Sequence, residues 1–208
     1  MVIKAILFNA EMVRAILEGR KSCTRKIVKP QQLIGMLPDK CKNGAPEKFL
    51  KEKKLMFKPY CDMTDIELIN TAYKAPYQPG DILYVRETWK KAPNGYYYYE
   101  DWQRNDIADV TKWKPSIRMP KEAARIWLKV TDVRVERLQE ISAESALAEG
   151  ADKYIHTNGG LDENMTITSF IGIWNSTIKK SDIDRYGWDA NPYVWIIEFE
   201  RCEKPEGV

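Results

Sequence analysis

The sequence predicts an α+β fold built on a mixed or antiparallel, barrel-like β-sheet. Two observations predict it: strand-like runs outnumber helical ones, and the two kinds do not alternate in the regular way a parallel α/β sheet requires.

Val2–Phe8 is an apolar run too short for a helix and reads as a buried strand. Asn9 can accept hydrogen bonds from the free N–H groups of a following helix, in which Met12, Val13, Ile16 and Leu17 recur at helical spacing before Gly19 stops it. The β-branched Thr24, Ile27 and Val28 then suggest a second strand, ended by Pro30. From about 31 to 75 the pattern changes: prolines interrupt it, and residues 39–58 hold seven lysines against three acids. This reads as a lysine-rich insertion in a single domain spanning 1–208, either a solvated excursion or a basic arm for nucleic-acid phosphate. Gln78-Pro79-Gly80-Asp81 is a turn, and a strand resumes at Ile82. Asn94-Gly95 before Tyr96–Tyr99 reads as a hairpin. Ala124–Leu138 has period two on either side of Thr131-Asp132, as one bent strand or two joined strands would. Helices are expected from Ser142 to Gly150 and from Ile167 to Ile178, and Tyr193–Cys202 is a last strand.

Composition excludes several function classes. The 208 residues are 44% hydrophobic and 30% charged, within the globular range. No apolar run approaches the roughly 18–20 residues of a membrane span, and the N-terminus lacks a signal peptide's apolar stretch, so the expected setting is cytoplasmic. Cys23, Cys41, Cys61 and Cys202 contain no C-x-x-C pair, and a single histidine, His156, precludes a multi-histidine metal site within one chain. Neither metal nor cofactor is expected. A net charge of +3 permits nucleic-acid binding through a local patch without demanding it.

Catalysis therefore falls to lysines, carboxylates and hydroxyls. Gly19-Arg20-Lys21-Ser22-Cys23-Thr24-Arg25-Lys26 crowds such groups at a turn. Alternation along a strand turns Ser22 and Thr24 to one face and Cys23 to the other. Neighbouring cations and desolvation can lower a lysine's pKa, which makes Lys21 a candidate base for the Thr24 hydroxyl; an exposed phosphate-binding turn is the bland alternative. Cys23 is either activated by the same cations or simply buried, and burial is the better reading. Glu149, at the end of the Ser142–Gly150 helix, matters only if it lies near Lys21. Ser116 in the Pro115–Pro120 loop, with Arg86, Trp89 and Arg125, could offer cations and aromatic faces to a base. His156 sits in a polar loop and is left out of the site.

The segments GRKSCTRK, PGDILYVRETW, PSIRMP, SAESALAEG and WDANPYVWIIEFER, in that order, together resemble the ASCH domain family, particularly its prophage-encoded bacterial members. The resemblance spans about 1–30 and 76–201. It implies a PUA-like mixed β-barrel with peripheral helices and a cleft for RNA or a modified nucleoside. One bacterial branch hydrolyses N(4)-acetylcytidine to cytidine and acetate with a lysine, a threonine and a glutamate. The lysine and threonine of its G-R-K-x-x-T pattern fall on Lys21 and Thr24. The glutamate falls on Glu149, with Glu163 as a second register. Ser22 stands where the branch commonly has threonine. On that inheritance Lys21 takes the Thr24 proton, Glu149 orients or relays, and Arg25, Lys26 or backbone N–H groups stabilise the oxyanion.

Three readings follow: a metal-independent amidohydrolase of N(4)-acylated cytidine; an RNA or modified-base reader using Arg20, Lys21, Arg25, Lys26, Arg86, Trp89 and Arg125; and a protein-binding module using the tyrosine hairpin.

Overall fold

The computed structural model describes residues 2–29, 66, 69–70, 73–103 and 112–207. Five strands lie side by side in the order β1 (Ile3–Leu7), β3 (Ile82–Arg86), β6 (Trp127–Arg137), β7 (Tyr193–Cys202), β2 (Cys23–Ile27). β1 and β3 are parallel and every other pair is antiparallel, so the sheet is mixed. β4 (Trp89–Ala92) and β5 (Gly95–Tyr98) form a separate hairpin.

Alternation explains which residues are inside. Leu83 and Val85 of β3, Leu128 and Val130 of β6, and Tyr193, Trp195, Ile197 and Phe199 of β7 share one inner core with Ile6 and Val28. Val133 and Val135 join that core although their parity is opposite to that of Leu128 and Val130, because the β6–β7 register shifts between Val130 and Asp132. Such a bulge inserts one residue and re-aims all that follow. The bend expected at Thr131-Asp132 is this bulge.

β7 is buried on both faces, and so its sequence is a continuous apolar run rather than an alternating one. Val194 and Ile196 face outward into a second cluster with Ala146, Phe170 and Trp174, carried by α3 (Ala143–Ala148) and α4 (Glu163–Thr177). A third cluster, Ile82, Trp89, Met119 and Trp127, closes the far end.

β1 and β2 are the two edges of the sheet. They are not hydrogen-bonded to each other among the described residues, yet Leu7–Phe8 and Thr24–Ile27 border the same cavity. The sheet is mixed as expected and does not close into a barrel among the described residues; α1 (Ala10–Leu17) lines the same cavity through Met12. Asn9 caps α1 as its sequence promised, its Oδ1 accepting the Met12 N–H at 2.8 Å. Val13 and Ile16 of α1 point into the inner core.

Three local expectations are adjusted. α4 begins at Glu163, four residues before the expected Ile167, because Asp162 accepts the Met165 N–H at 3.0 Å and caps the helix. Tyr99 leaves the hairpin to open α2 (Tyr99–Gln103), while Ala92 pairs with Gly95 around Pro93-Asn94. α5 (Ile183–Tyr186) is a single added turn. The lysine-rich stretch of the proposed insertion lies outside the described residues, as does Pro30; of 31–75, Ile69 and Tyr73 pack in the inner core. No helix among the described residues is long and apolar enough to cross a membrane.

Candidate active site

The site is assembled where the turn after α1 meets the end of α3. The backbone N–H groups of Arg20 and Lys21 both donate to Ala15 O, at 2.8 and 3.0 Å, and Ser22 N–H donates to Ala148 O at 2.8 Å. These bonds lock the turn against both helices. Gly150 then has to be glycine for two reasons. Its φ is +95°, and a Cβ there would lie 3.1 Å from Ala15 Cβ; the first strains any L side chain, and the second is a tight contact that Ala15 would have to yield to by a few tenths of an ångström.

This approach places Glu149 over Lys21. The Lys21 ammonium donates to Glu149 Oε2 at 2.6 Å, to Glu149 O at 2.8 Å and to Cys23 O at 2.8 Å, which accounts for all three of its N–H bonds. Its side chain is 0% exposed. Arg25 reaches the other carboxylate oxygen, Nη1 to Oε1 at 3.2 Å, and donates from Nη2 to Ser145 Oγ at 3.1 Å. Its guanidinium carbon stands 5.6 Å from the Phe170 ring centroid. Arg25 Nε is buried with no hydrogen-bond partner. One carboxylate thus serves two buried cations, leaving the cluster one positive charge in excess. Cys23 lies among these groups, and burial, reinforced by Glu149, pushes its thiol up to about 12; it is a structural thiol rather than a nucleophile.

A cavity of about 410 Å³ opens beside the cluster. Phe8, Asn9 and Met12 form one wall, Thr24–Ile27 and Glu149 another, and Phe170, Ile173, Trp174 and Thr177 of α4 a third. Thr24 is 4% exposed and pairs with Ile197 across the ladder, which sets it on the inner face of β2. Lys26 pairs with Trp195 and shares that face. Burial first, and the nearby Lys21 ammonium second, lower the Lys26 pKa against the opposing pull of Glu149.

The structure brings Lys21, Thr24, Arg25, Lys26 and Glu149 together. Glu163 lies exposed at the start of α4, so Glu149 is the carboxylate in contact with Lys21. Arg20 borders the Glu149 end from a neighbouring cavity, shared with Glu11, Arg14 and Asp152, and is held by Glu18 at 2.7 Å. The structure does not bring Arg86, Trp89, Ser116 and Arg125 to this place. Trp89 is 4% exposed in the far core, Arg125 is committed to Glu87 and Asp101, Arg86 lies over Tyr84, and Ser116 opens a 3-10 turn. His156 is exposed near Asp162. Sequence reasoning missed Ser145, Phe8 and the α4 wall. Phe170 and Trp174 gave only a helical apolar signal, and nothing in that spacing distinguishes a cavity wall from core.

Among the described residues no group of His, Cys, Asp and Glu side chains is arranged to hold a metal ion. No protein-family model matches the chain, and no curated protein matches it. Among solved structures it is similar to the ASCH domain from Lactobacillus crispatus JV V101, at 11% identity and a TM-score of 0.40, over 96% of this chain and 79% of that one. That likeness is too loose to carry any residue across from one chain to the other.

Proposed function

We propose that the chain is an ASCH-type protein acting on modified nucleosides, and that its reaction is metal-independent hydrolysis of an N(4)-acylated cytidine with Thr24 as nucleophile. The observation that carries this reading is a threonine lining a cavity beside a buried cluster with positive charge to spare. The order of the sequence motifs supports it as well.

The chemistry runs in two halves. Thr24 Oγ1 attacks the acyl carbonyl, the carbonyl oxygen gains negative charge, the C–N bond breaks, and the cytidine amine leaves with a proton. Water then attacks the resulting ester, releasing the carboxylic acid and restoring the hydroxyl. Glu149 and Ser145 hold Arg25 at the cavity wall, where its positive charge favours the oxyanion. Phe8, Phe170 and Trp174 supply apolar and aromatic surface for the base.

Incubation of the protein with N(4)-acetylcytidine is expected to release cytidine, and Thr24→Val, which keeps the β-branched shape, is expected to abolish release while leaving the unfolding midpoint near wild type. A folded wild type that releases no cytidine overturns the reading. A specific feature favours binding without turnover as the second reading: Lys21 has no N–H bond left to exchange. In that case Thr24→Val binds acetylcytidine as wild type does, and neither protein consumes it.

A further inference from the structure

We propose that Lys26, and not Lys21, is the group that takes the proton from the Thr24 hydroxyl. The proposal rests on Thr24 being the nucleophile and assigns the base that this chemistry requires.

The case starts from Lys21. A lysine accepts a proton only through a free lone pair, and the Lys21 nitrogen is enclosed by three acceptors, one of them the carboxylate of Glu149 at 2.6 Å. All three contacts spend an N–H of Lys21, and none of them is to Thr24.

Lys26 is placed otherwise. Thr24 and Lys26 are two apart on one strand, so their side chains leave the same face about 6.6–6.8 Å apart. A lysine stem covers that span directly or through one water. Both residues line the 410 Å³ cavity. Lys26 has no hydrogen bond or ion pair to a described residue that would hold it as an ammonium. Its surroundings disfavour the charge: it is largely enclosed, and Lys21 is the cation that acts on it most, with Glu149 the opposing anion. Arg25 borders the same cavity. On its other side a second cavity of about 430 Å³ brings Lys29, Tyr73, Lys74 and Tyr77 around it. Cations therefore outnumber anions among its neighbours, and that environment favours the neutral amine a base requires.

The proton balance closes on one group. Lys26 accepts the Thr24 proton as the O–C bond forms, then delivers it to the departing cytidine nitrogen as the C–N bond breaks. In the second half it takes a proton from the attacking water and returns one to Thr24 Oγ1.

The test is the pH profile of kcat/KM for acetylcytidine hydrolysis in wild type, Lys26→Arg, Lys26→Met and Lys29→Met. Wild type is expected to gain activity through a limb set below the ordinary lysine range. Lys26→Arg, which keeps charge and bulk but cannot deprotonate, is expected to lose about 10²–10⁴-fold and to lose that limb. Lys26→Met is expected to fall as far and to be partly restored by added ethylamine. Lys29→Met, which removes one of the cations bordering the second cavity, is expected to keep a limb and to move it toward the ordinary lysine range. Wild-type turnover together with a Lys26→Arg protein that keeps its limb and stays within threefold of wild type overturns the assignment and leaves Thr24 catalysis standing. A folded wild type without turnover overturns both.

Discussion

Two arginines in this molecule are each held by a buried glutamate and lie near an aromatic ring, and they differ in what is left over. Arg125 spends its guanidinium completely: Nε and Nη2 grip the two oxygens of Glu87 at 2.9 Å each, Nη1 takes Asp101 at 2.7 and 2.8 Å, and the group lies 4.1 Å from the Tyr98 ring centroid. Two carboxylates face one cation. Arg25 shares one carboxylate with Lys21, reaches it at 3.2 Å, and keeps Nε unpaired. Two cations face one carboxylate. The first arrangement is a staple, tying the end of β3 and the α2 turn to the approach of β6. The second retains positive charge and a buried donor without a partner, and it borders a cavity. A buried arginine points to function through its unspent capacity, not through its burial.

The largest test of this contrast is Glu149→Ala against Glu87→Ala. Losing Glu149 strands two cations whose side chains are 0% and 1% exposed, and urea unfolding should register a loss of about 3–5 kcal/mol. Losing Glu87 leaves Arg125, 23% exposed, with Asp101 and with access to water; the expected loss is about 2 kcal/mol. Equal losses would break the comparison. Next comes the packing that sets Glu149 over Lys21. Gly150→Ala should cost about 1–2 kcal/mol and exceed Gly19→Ala, which shares a positive φ of +75° but would place its Cβ in open space. If the two match in thermal melts, the approach of α1 to α3 is looser than 3.1 Å implies.

The smallest effect has the opposite sign. The Lys26 pKa is lowered in the folded protein, so the unfolded chain binds more protons at Lys26 between that depressed value and about 10.5, and this group's contribution to stability rises with pH across the window. Lys26→Met should therefore stabilise by about 0.5 kcal/mol near neutral pH. The advantage should shrink as pH climbs toward the ordinary lysine value. An advantage that is flat with pH would mean that Lys26 reaches water freely and has no depressed pKa to exploit.

How much of this was legible depended on whether a residue's partner was local. The α1 cap at Asn9, the stop at Gly19, the bend at Thr131 and the apolar run of β7 were readable because each is decided within a few positions. The Thr24 and Cys23 faces followed from strand parity. No local pattern announces the pairing of Lys21 with Glu149, since it depends on Gly150 packing against Ala15. Arg125 and Trp89 were credited with base contacts because a cation and a ring are ambiguous alone; only Glu87, Asp101 and the far core reveal that both are committed.

The order of strands has a consequence for how the protein is made. β2 carries Thr24, Arg25 and Lys26, and its ladder partner is β7, Cys23 opposite Glu198 and Ile27 opposite Val194. Synthesis delivers β2 early and β7 late, so nearly all of the chain must leave the ribosome before the reactive strand has a neighbour. Until then Lys21 and Arg25 stay hydrated, and the cost of drying them falls on a late step of folding, when Glu149 is already to hand. Contacts so distant in sequence make for slow folding. A nascent chain stalled short of residue 193 would hold every residue of the cluster and no site.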